Sequence, residues 1–146
     1  SFKNNSIILH KTKAVNSKSI IKLDLANAPD IAQTIVVTCL GLKKPCVLTG
    51  LHTLKIKETD RLEALKTEIE KFGTSVFITE NSLEIQKIKP LNSKVKIDTY
   101  NDHRMAMAFA PLALKKKFTV NNAEVVSKSY PEFWKDLESI GFQIKK

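Results

Sequence analysis

One spacing constrains the fold more than any other feature of the chain. Asp30 and Asp102 lie 72 residues apart, as do Cys46 and Phe118, and Ile69-x-x-Phe72-Gly73 returns 68 residues later as Leu137-x-x-Ile140-Gly141. A pattern recurring at such a period signals one supersecondary unit used twice. The chain is therefore expected to contain two similar pieces.

Each copy alternates the period of a strand with that of a helix, which predicts an α/β fold of repeated β-α-β-α-β-β units. Ser6 to Leu9 and Ser19 to Leu25 read as strands, rich in leucine and β-branched residues. A helix follows from Asp30 to about Leu42, with Ile31, Thr34, Ile35, Thr38 and Cys39 as its buried face. Asp30 and Gln33 have the form of a capping box, and Gly41 with Pro45 beyond it is the expected stop. Cys46 to Thr49 is a strand, and Thr59 to Phe72 is a helix with a stripe of Leu62, Leu65, Ile69 and Phe72 ended by Gly73. Ser75 to Thr79 and Ser82 to Gln86 close the copy as a hairpin across Glu80-Asn81.

The order then restarts. Val95 to Asp98 and Phe118 to Val120 are strands; Asp102 to Leu114 and Pro131 to Ile140 are helices, the latter with Phe133, Leu137 and Ile140 inside. One unit spans about 19–88 and a second about 94–146, without its closing hairpin. The expectation is a chain that forms part of something larger, an expectation also suggested by the absence of an initiator Met.

Composition narrows the partners. The 146 residues carry a net charge of +9, with runs only at Lys43-Lys44, Lys115-Lys116-Lys117 and Lys145-Lys146. No basic stripe interleaved with aromatics is present, so small anions rank above nucleic acid. No apolar run reaches membrane-spanning length and no secretory signal is visible, so no membrane partner is expected. Cys39 and Cys46, with no motif around them, read as core thiols in a reducing, cytoplasmic setting. His10 and His52 lack metal-ligand spacing, so no metal site is expected.

Charge gathers at helix starts. In Tyr100 to Phe109, YNDHRMAMAF, Asn101 and Asp102 are good caps and Met105, Ala108, Phe109 and Leu112 form the stripe. His103 and Arg104 fall in the first turn, where a cation is ordinarily disfavoured unless an anion lies beside it. The competing reading is an arginine whose stem covers apolar surface. Lys57, Glu58, Asp60 and Arg61 surround the start of the second helix, and Lys128 shortly precedes Pro131. Cations at three of four helix starts suit a multiply anionic ligand. Asp30 and Asp60 read as caps, whereas Glu58 lies outside its helix, where it is either a solvated ion pair or an acid–base group.

These residues resemble a known family. LKIKETDRLEAL, TYNDHRMAMAFA, VSKSYPEFW and the helix start APDIAQT are similar, in order and spacing, to the C-terminal part of 5-enolpyruvylshikimate-3-phosphate synthase, a 3-phosphoshikimate 1-carboxyvinyltransferase. The resemblance implies a two-domain enzyme with its active site in the cleft between domains, each built from three β-α-β-α-β-β units. About two units of the C-terminal domain are then present and the N-terminal domain is missing. It implies transfer of the enolpyruvyl group of phosphoenolpyruvate to the 5-hydroxyl of shikimate 3-phosphate, in the shikimate route to chorismate and aromatic amino acids, by addition and elimination without a cofactor. Asp30 matches the family's proton acceptor at the 5-hydroxyl, which reverses its reading as a cap. Glu58 matches the carboxylate moving protons at the enolpyruvyl methylene, and Lys57 a shikimate 3-phosphate contact. Arg61, Arg104 and Lys128 match the cations holding phosphoenolpyruvate, with His103 beside them and Asp102 as cap and orienting residue. Thr53 departs from the pattern, standing where some members have an asparagine that touches shikimate 3-phosphate. Alone, the chain is expected to be inert.

Two rivals differ in what they require. A related enolpyruvyl transferase acting on UDP-N-acetylglucosamine shares the architecture, but KETDR and NDHRMAM fit the shikimate enzyme better. A noncatalytic basic module binding anions or nucleic acid has only the charge in its favour.

Overall fold

The computed structural model describes residues 2–3, 6–8, 19–57 and 59–145. The expected strand from Ser6 to Leu9 is represented by β2 (Ser6–Ile7), paired antiparallel with β1 (Phe2–Lys3); Leu9, His10 and Glu58 lie outside the described residues.

The principal sheet contains β3 (Ile21–Asp24), β4 (Cys46–Thr49), β5 (Phe77–Ile78) and β6 (Ser82–Ile85), in the order β3-β4-β6-β5. β3 runs parallel to β4, with Leu23 opposite Leu48, because α1 (Ala32–Leu42) provides the crossover between them. β6 returns antiparallel to both β4 and β5, so the hairpin at Glu80-Asn81 forms as its turn residues predict. A second parallel pair, β7 (Lys96–Ile97) with β8 (Thr119–Val120), encloses α3 (His103–Phe109) in the same strand–helix–strand order. Two helices complete the fold, α2 (Arg61–Lys71) and α4 (Phe133–Ser139).

One core joins these elements. Cys46 and Leu48 of β4 and Leu83 and Ile85 of β6 meet Val36 and Leu40 of α1 and Leu62, Leu65 and Ile69 of α2. Phe72 stacks on Phe109 at 6.0 Å between ring centroids and meets Phe118 edge-on at 5.6 Å, binding α2 to the second strand–helix–strand unit.

Local chemistry revises several expectations. Residues Pro29–Ile31 form a 3-10 turn, and α1 begins after it without a side-chain cap. The Asp30–Gln33 capping box is therefore absent, because both side chains are engaged with partners from other elements. The buried face of α1 is Ala32, Gln33, Val36, Val37, Cys39 and Leu40; Ile31, Thr34 and Thr38 are exposed. Two helices flank α1, so its buried surface is rotated from the stripe that β-branched spacing suggested. Gly41 does not stop the helix. A Cβ there would meet Leu112 Cδ1 at 3.2 Å, so its role is close packing, and Lys43 ends α1 with a left-handed φ of 55°.

The helix expected to reach Leu114 instead tightens into a 3-10 turn over Ala110–Leu114, since Pro111 cannot donate a backbone hydrogen bond. In α4 no residue is buried and Ile140 is 73% exposed, contrary to the expected inward face. Its inner contacts run through Phe133 and Trp134, whose indole N–H donates to the Ala123 carbonyl at 2.8 Å. No described helix is long and apolar enough to cross a membrane.

Candidate active site

The start of α2 places a charge at the centre of the molecule. Asp60 is a true N-cap, accepting from the Leu62 and Glu63 amides at 3.0 and 3.1 Å. The next residue, Arg61, is 1% exposed. Its Nε donates to Asp102 Oδ2 at 2.7 Å and its Nη1 to Asp30 Oδ1 at 3.0 Å. One guanidinium thus bridges the two aspartates that the repeat places at corresponding positions. The planar fork of arginine suits this task, and a lysine ammonium could not span it in the same way.

Asp30 sits on the 3-10 turn between β3 and α1, where its carboxylate is half-exposed. Besides Arg61 it meets Arg104 Nη2 at 3.1 Å and Lys57 Nζ at 3.7 Å. Three cations from the loop before α2, from α2 and from α3 therefore face one carboxylate. That arrangement gathers positive charge around one half-exposed carboxylate, where an anionic ligand can compete for it.

At the start of α3, Asp102 is buried and triply engaged. Its Oδ1 accepts the Arg104 amide at 2.9 Å, and its Oδ2 accepts Gln33 Nε2 at 3.3 Å as well as Arg61. His103 Nδ1 lies 4.0 Å from Asp102 Oδ1, while Arg104 Nη1 donates to His103 Nε2 at 3.4 Å. A guanidinium can only donate, so that contact requires Nε2 to be the unprotonated nitrogen. Lys128 reaches the same region from the 3-10 turn Ala123–Lys128, its Nζ donating to Asn101 Oδ1 at 2.7 Å.

Asp30, Ile31, Thr34, His103, Arg104, Met107 and Ser129 line an open hollow of about 420 Å³. Asp30, His103 and Arg104 thus border one hollow, with Lys57 and Arg61 bound to the same aspartate and neither Arg61 nor Lys128 in its lining. Lys128 joins through Asn101 and not through direct contact with Asp30. Thr53 lies in the 3-10 turn His52–Ile56, and its hydroxyl is buried without a hydrogen-bond partner. Among the described residues no group of His, Cys, Asp or Glu is arranged to hold a metal ion.

Sequence reasoning missed Gln33, whose amide steadies Asp102, and Glu68, a fully buried carboxylate on α2. A signal for Glu68 was present. Arg61, Leu65, Glu68 and Phe72 share one face of a 3.6-residue helix, so two charges interrupt an apolar stripe. Lys71 and Asp98 extend this network at 2.9 Å. Asn121 and then Lys71 hold the Asp98 carboxyl below its ordinary range by hydrogen bonding its charged form. Burial, followed by the Glu68 hydrogen bond, pushes the Tyr100 phenol well above its usual value.

Known proteins share this arrangement of sequence and fold. The family model for EPSP synthase (3-phosphoshikimate 1-carboxyvinyltransferase) matches residues 3–137. A 3-phosphoshikimate 1-carboxyvinyltransferase of Bacteroides fragilis is 48% identical over 126 residues, 84% of this chain and 30% of that protein. The protein of the same description from Buchnera aphidicola subsp. Cinara cedri is 34% identical across 95% of this chain and 31% of its own length. The EPSP synthase structure from Acinetobacter baumannii superposes with a TM-score of 0.71 at 26% identity, covering 81% of this chain and 28% of that one. The chain spans about 30% of the length of the relatives it matches. By sequence and by fold alike, it belongs to the EPSP synthase family.

Proposed function

We propose that this chain is the larger part of the C-terminal domain of an enzyme transferring the enolpyruvyl group of phosphoenolpyruvate to the 5-hydroxyl of shikimate 3-phosphate. Its units are about 19–88 and about 94–146, with the remaining ligands supplied by an N-terminal domain. The observation that carries this reading is the convergence of Lys57, Arg61 and Arg104 on Asp30 from separate elements.

Both substrates are polyanions, so cations must offset their repulsion and fix their approach. Arg104, Lys128 and Arg61 hold phosphoenolpyruvate, Arg61 reaching it as Asp30 turns to the other substrate. Lys57 contacts shikimate 3-phosphate, and the unpartnered hydroxyl of Thr53 supports a polar contact there in place of asparagine. His103 borders the phosphoenolpyruvate group.

Asp30 accepts the 5-hydroxyl proton as that oxygen bonds to the central carbon of phosphoenolpyruvate. The methylene carbon gains a proton, which gives a tetrahedral ketal. Loss of phosphate and of a proton from the resulting methyl group then restores the double bond. Glu58 is assigned to proton transfer at that carbon. No step calls for a metal or organic cofactor, and the two buried thiols, Cys39 and Cys46, suit a cytoplasmic setting.

Steady-state kinetics of Arg104→Ala in the assembled two-domain enzyme test the reading. Loss of a charge-assisted contact should weaken phosphoenolpyruvate affinity about tenfold to a hundredfold with the fold intact. Unchanged kinetics would refute the role. Glu58→Gln should lower turnover more than binding. The chain alone should release no phosphate from the substrate pair; measurable release would overturn its inertness.

A further inference from the structure

We propose that Tyr100 and Glu68 are positioning residues for the anion site, their half-buried hydrogen bond holding a left-handed turn that aims Asn101 at Lys128. The proposal rests on the reading of Arg104 and Lys128 as anion holders, and it concerns how they are placed.

The turn between β7 and α3 has two consecutive non-glycine residues in the left-handed region, Tyr100 at φ 52° and Asn101 at φ 57°. Asparagine tolerates that conformation, but a bulky aromatic adopts it only under constraint from its surroundings. Such outliers persist where neighbouring structure over-determines them, most often beside functional groups.

The constraint here comes from α2. Tyr100 Oη donates to Glu68 Oε1 at 2.6 Å, and Glu68 is fully buried. Glu68 Oε2 accepts the Asp98 amide at 3.1 Å, and Lys71 Nζ pairs with it at 2.7 Å. The carboxylate is thus fixed from three directions and its own charge is compensated. The turn is also tied at its base. The Asp102 amide donates to the Thr99 carbonyl at 2.8 Å, and the buried Thr99 hydroxyl donates to the Asn122 carbonyl at 3.4 Å.

With both ends of the turn held, Asn101 Oδ1 accepts from Lys128 Nζ at 2.7 Å. The same backbone path brings Asp102 Oδ1 to the Arg104 amide at 2.9 Å. Lys128 and Arg104 come from separate elements, and this turn contacts both. A relaxed, right-handed path through Tyr100 would move Asn101 away from Lys128 and leave that ammonium on a flexible stem.

Tyr100→Phe in the 146-residue chain is the test, because it removes a hydroxyl and keeps the ring. The readout is the Lys128 ammonium resonance by NMR, alongside titration with phosphoenolpyruvate. At low temperature and mildly acidic pH, where exchange of an exposed ammonium is slowed, the parent chain should give a resolved resonance. In Tyr100→Phe it should broaden, and affinity should fall on the order of fivefold to tenfold, the loss of one charge-assisted contact. Asn101→Ala should give the same spectral change without disturbing Glu68. A folded Tyr100→Phe chain with an unchanged Lys128 resonance would overturn the proposal.

Should Tyr100→Phe fail to fold, Glu68→Gln and Glu68→Ala decide. The glutamine amide oxygen still accepts from Tyr100 and should keep the Lys128 signal, whereas Glu68→Ala removes the acceptor and should broaden it; a folded Glu68→Ala chain with an unchanged signal would overturn the assignment. The Arg104→Ala kinetics in the two-domain enzyme judge the functional reading, while the ammonium signal judges the positioning.

Discussion

Arg61 of α2 and Asp102 at the start of α3 form a buried ion pair, Nε to Oδ2 at 2.7 Å, with side chains 1% and 0% exposed. The pair joins the two strand–helix–strand units, and the other side of the guanidinium reaches Asp30. Burial of such a pair is costly unless further hydrogen bonds complete it; here Gln33 and the Arg104 amide do so.

Removing one partner should therefore be worse than removing both. Arg61→Ala leaves Asp102 buried and unpaired and is expected to cost about 3–5 kcal/mol. Arg61→Met combined with Asp102→Asn should recover part of that loss. Urea denaturation of the parent and the two variants checks the order, and equal losses would show that the pair itself is not decisive.

Asp30 is the internal anion of the cation cluster, so neutralising it should separate binding from chemistry. Asp30→Asn is expected to tighten phosphoenolpyruvate binding about fivefold, or ~1 kcal/mol, by relieving competition for Arg61 and Arg104. The same variant should abolish turnover in the assembled enzyme. Calorimetric titration and a phosphate-release assay read the two effects, and weaker binding would contradict the competition.

Gly50 ends β4 at a φ of 76°, and a Cβ there would fall 2.3 Å from the Ala26 amide nitrogen and 2.5 Å from Asp24 Oδ1. Gly50→Ala should therefore distort the turn leading to Asp30, at a cost above ~2 kcal/mol. Gly41→Ala meets only the flexible end of Leu112 at 3.2 Å and should cost less. Thermal melts of the two proteins give the comparison.

The Glu68 network sets both ends of a pH profile. The Asp98 carboxyl is held below its ordinary 3.8, first by Asn121 and then by Lys71. Its contribution is present above that value and is lost as pH falls through the lower folded value. Against the pull of burial, the hydrogen bonds that the Lys71 ammonium donates to Glu68 and Asp98 hold it above 10.5. Burial and Glu68 likewise raise Tyr100 above 10.0. Those contributions are whole below the ordinary values and are lost as pH rises through the folded ones. Melting temperature should thus fall below about pH 4 and above about pH 10, and Tyr100→Phe should soften the alkaline fall. A profile unchanged by that variant would remove Tyr100 from the linkage.

The strands and α2 were readable because their signals are local. Leu62, Leu65 and Ile69 repeat at helical spacing, Asp60 caps, and Gly73 stops the helix at φ 91°. The start of α1 was misread for a non-local reason, although its end at Leu42 was read correctly. Asp30 and Gln33 have good cap chemistry, but Arg61 and Asp102, distant in the chain, compete successfully for their side chains. α4 was misread because regular spacing says which residues share a face and not whether anything covers it.

Taken by itself, the sequence determined the alternation of strands and helices, the recurrence of Asp30 as Asp102, and the family, because these depend on residue type and spacing along the chain. Only the tertiary structure decided that one buried guanidinium joins the two aspartates and that Glu68 holds the turn beside Lys128. Those outcomes depend on how α2 seats between the repeats, where desolvation and distance select among partners equally available in sequence.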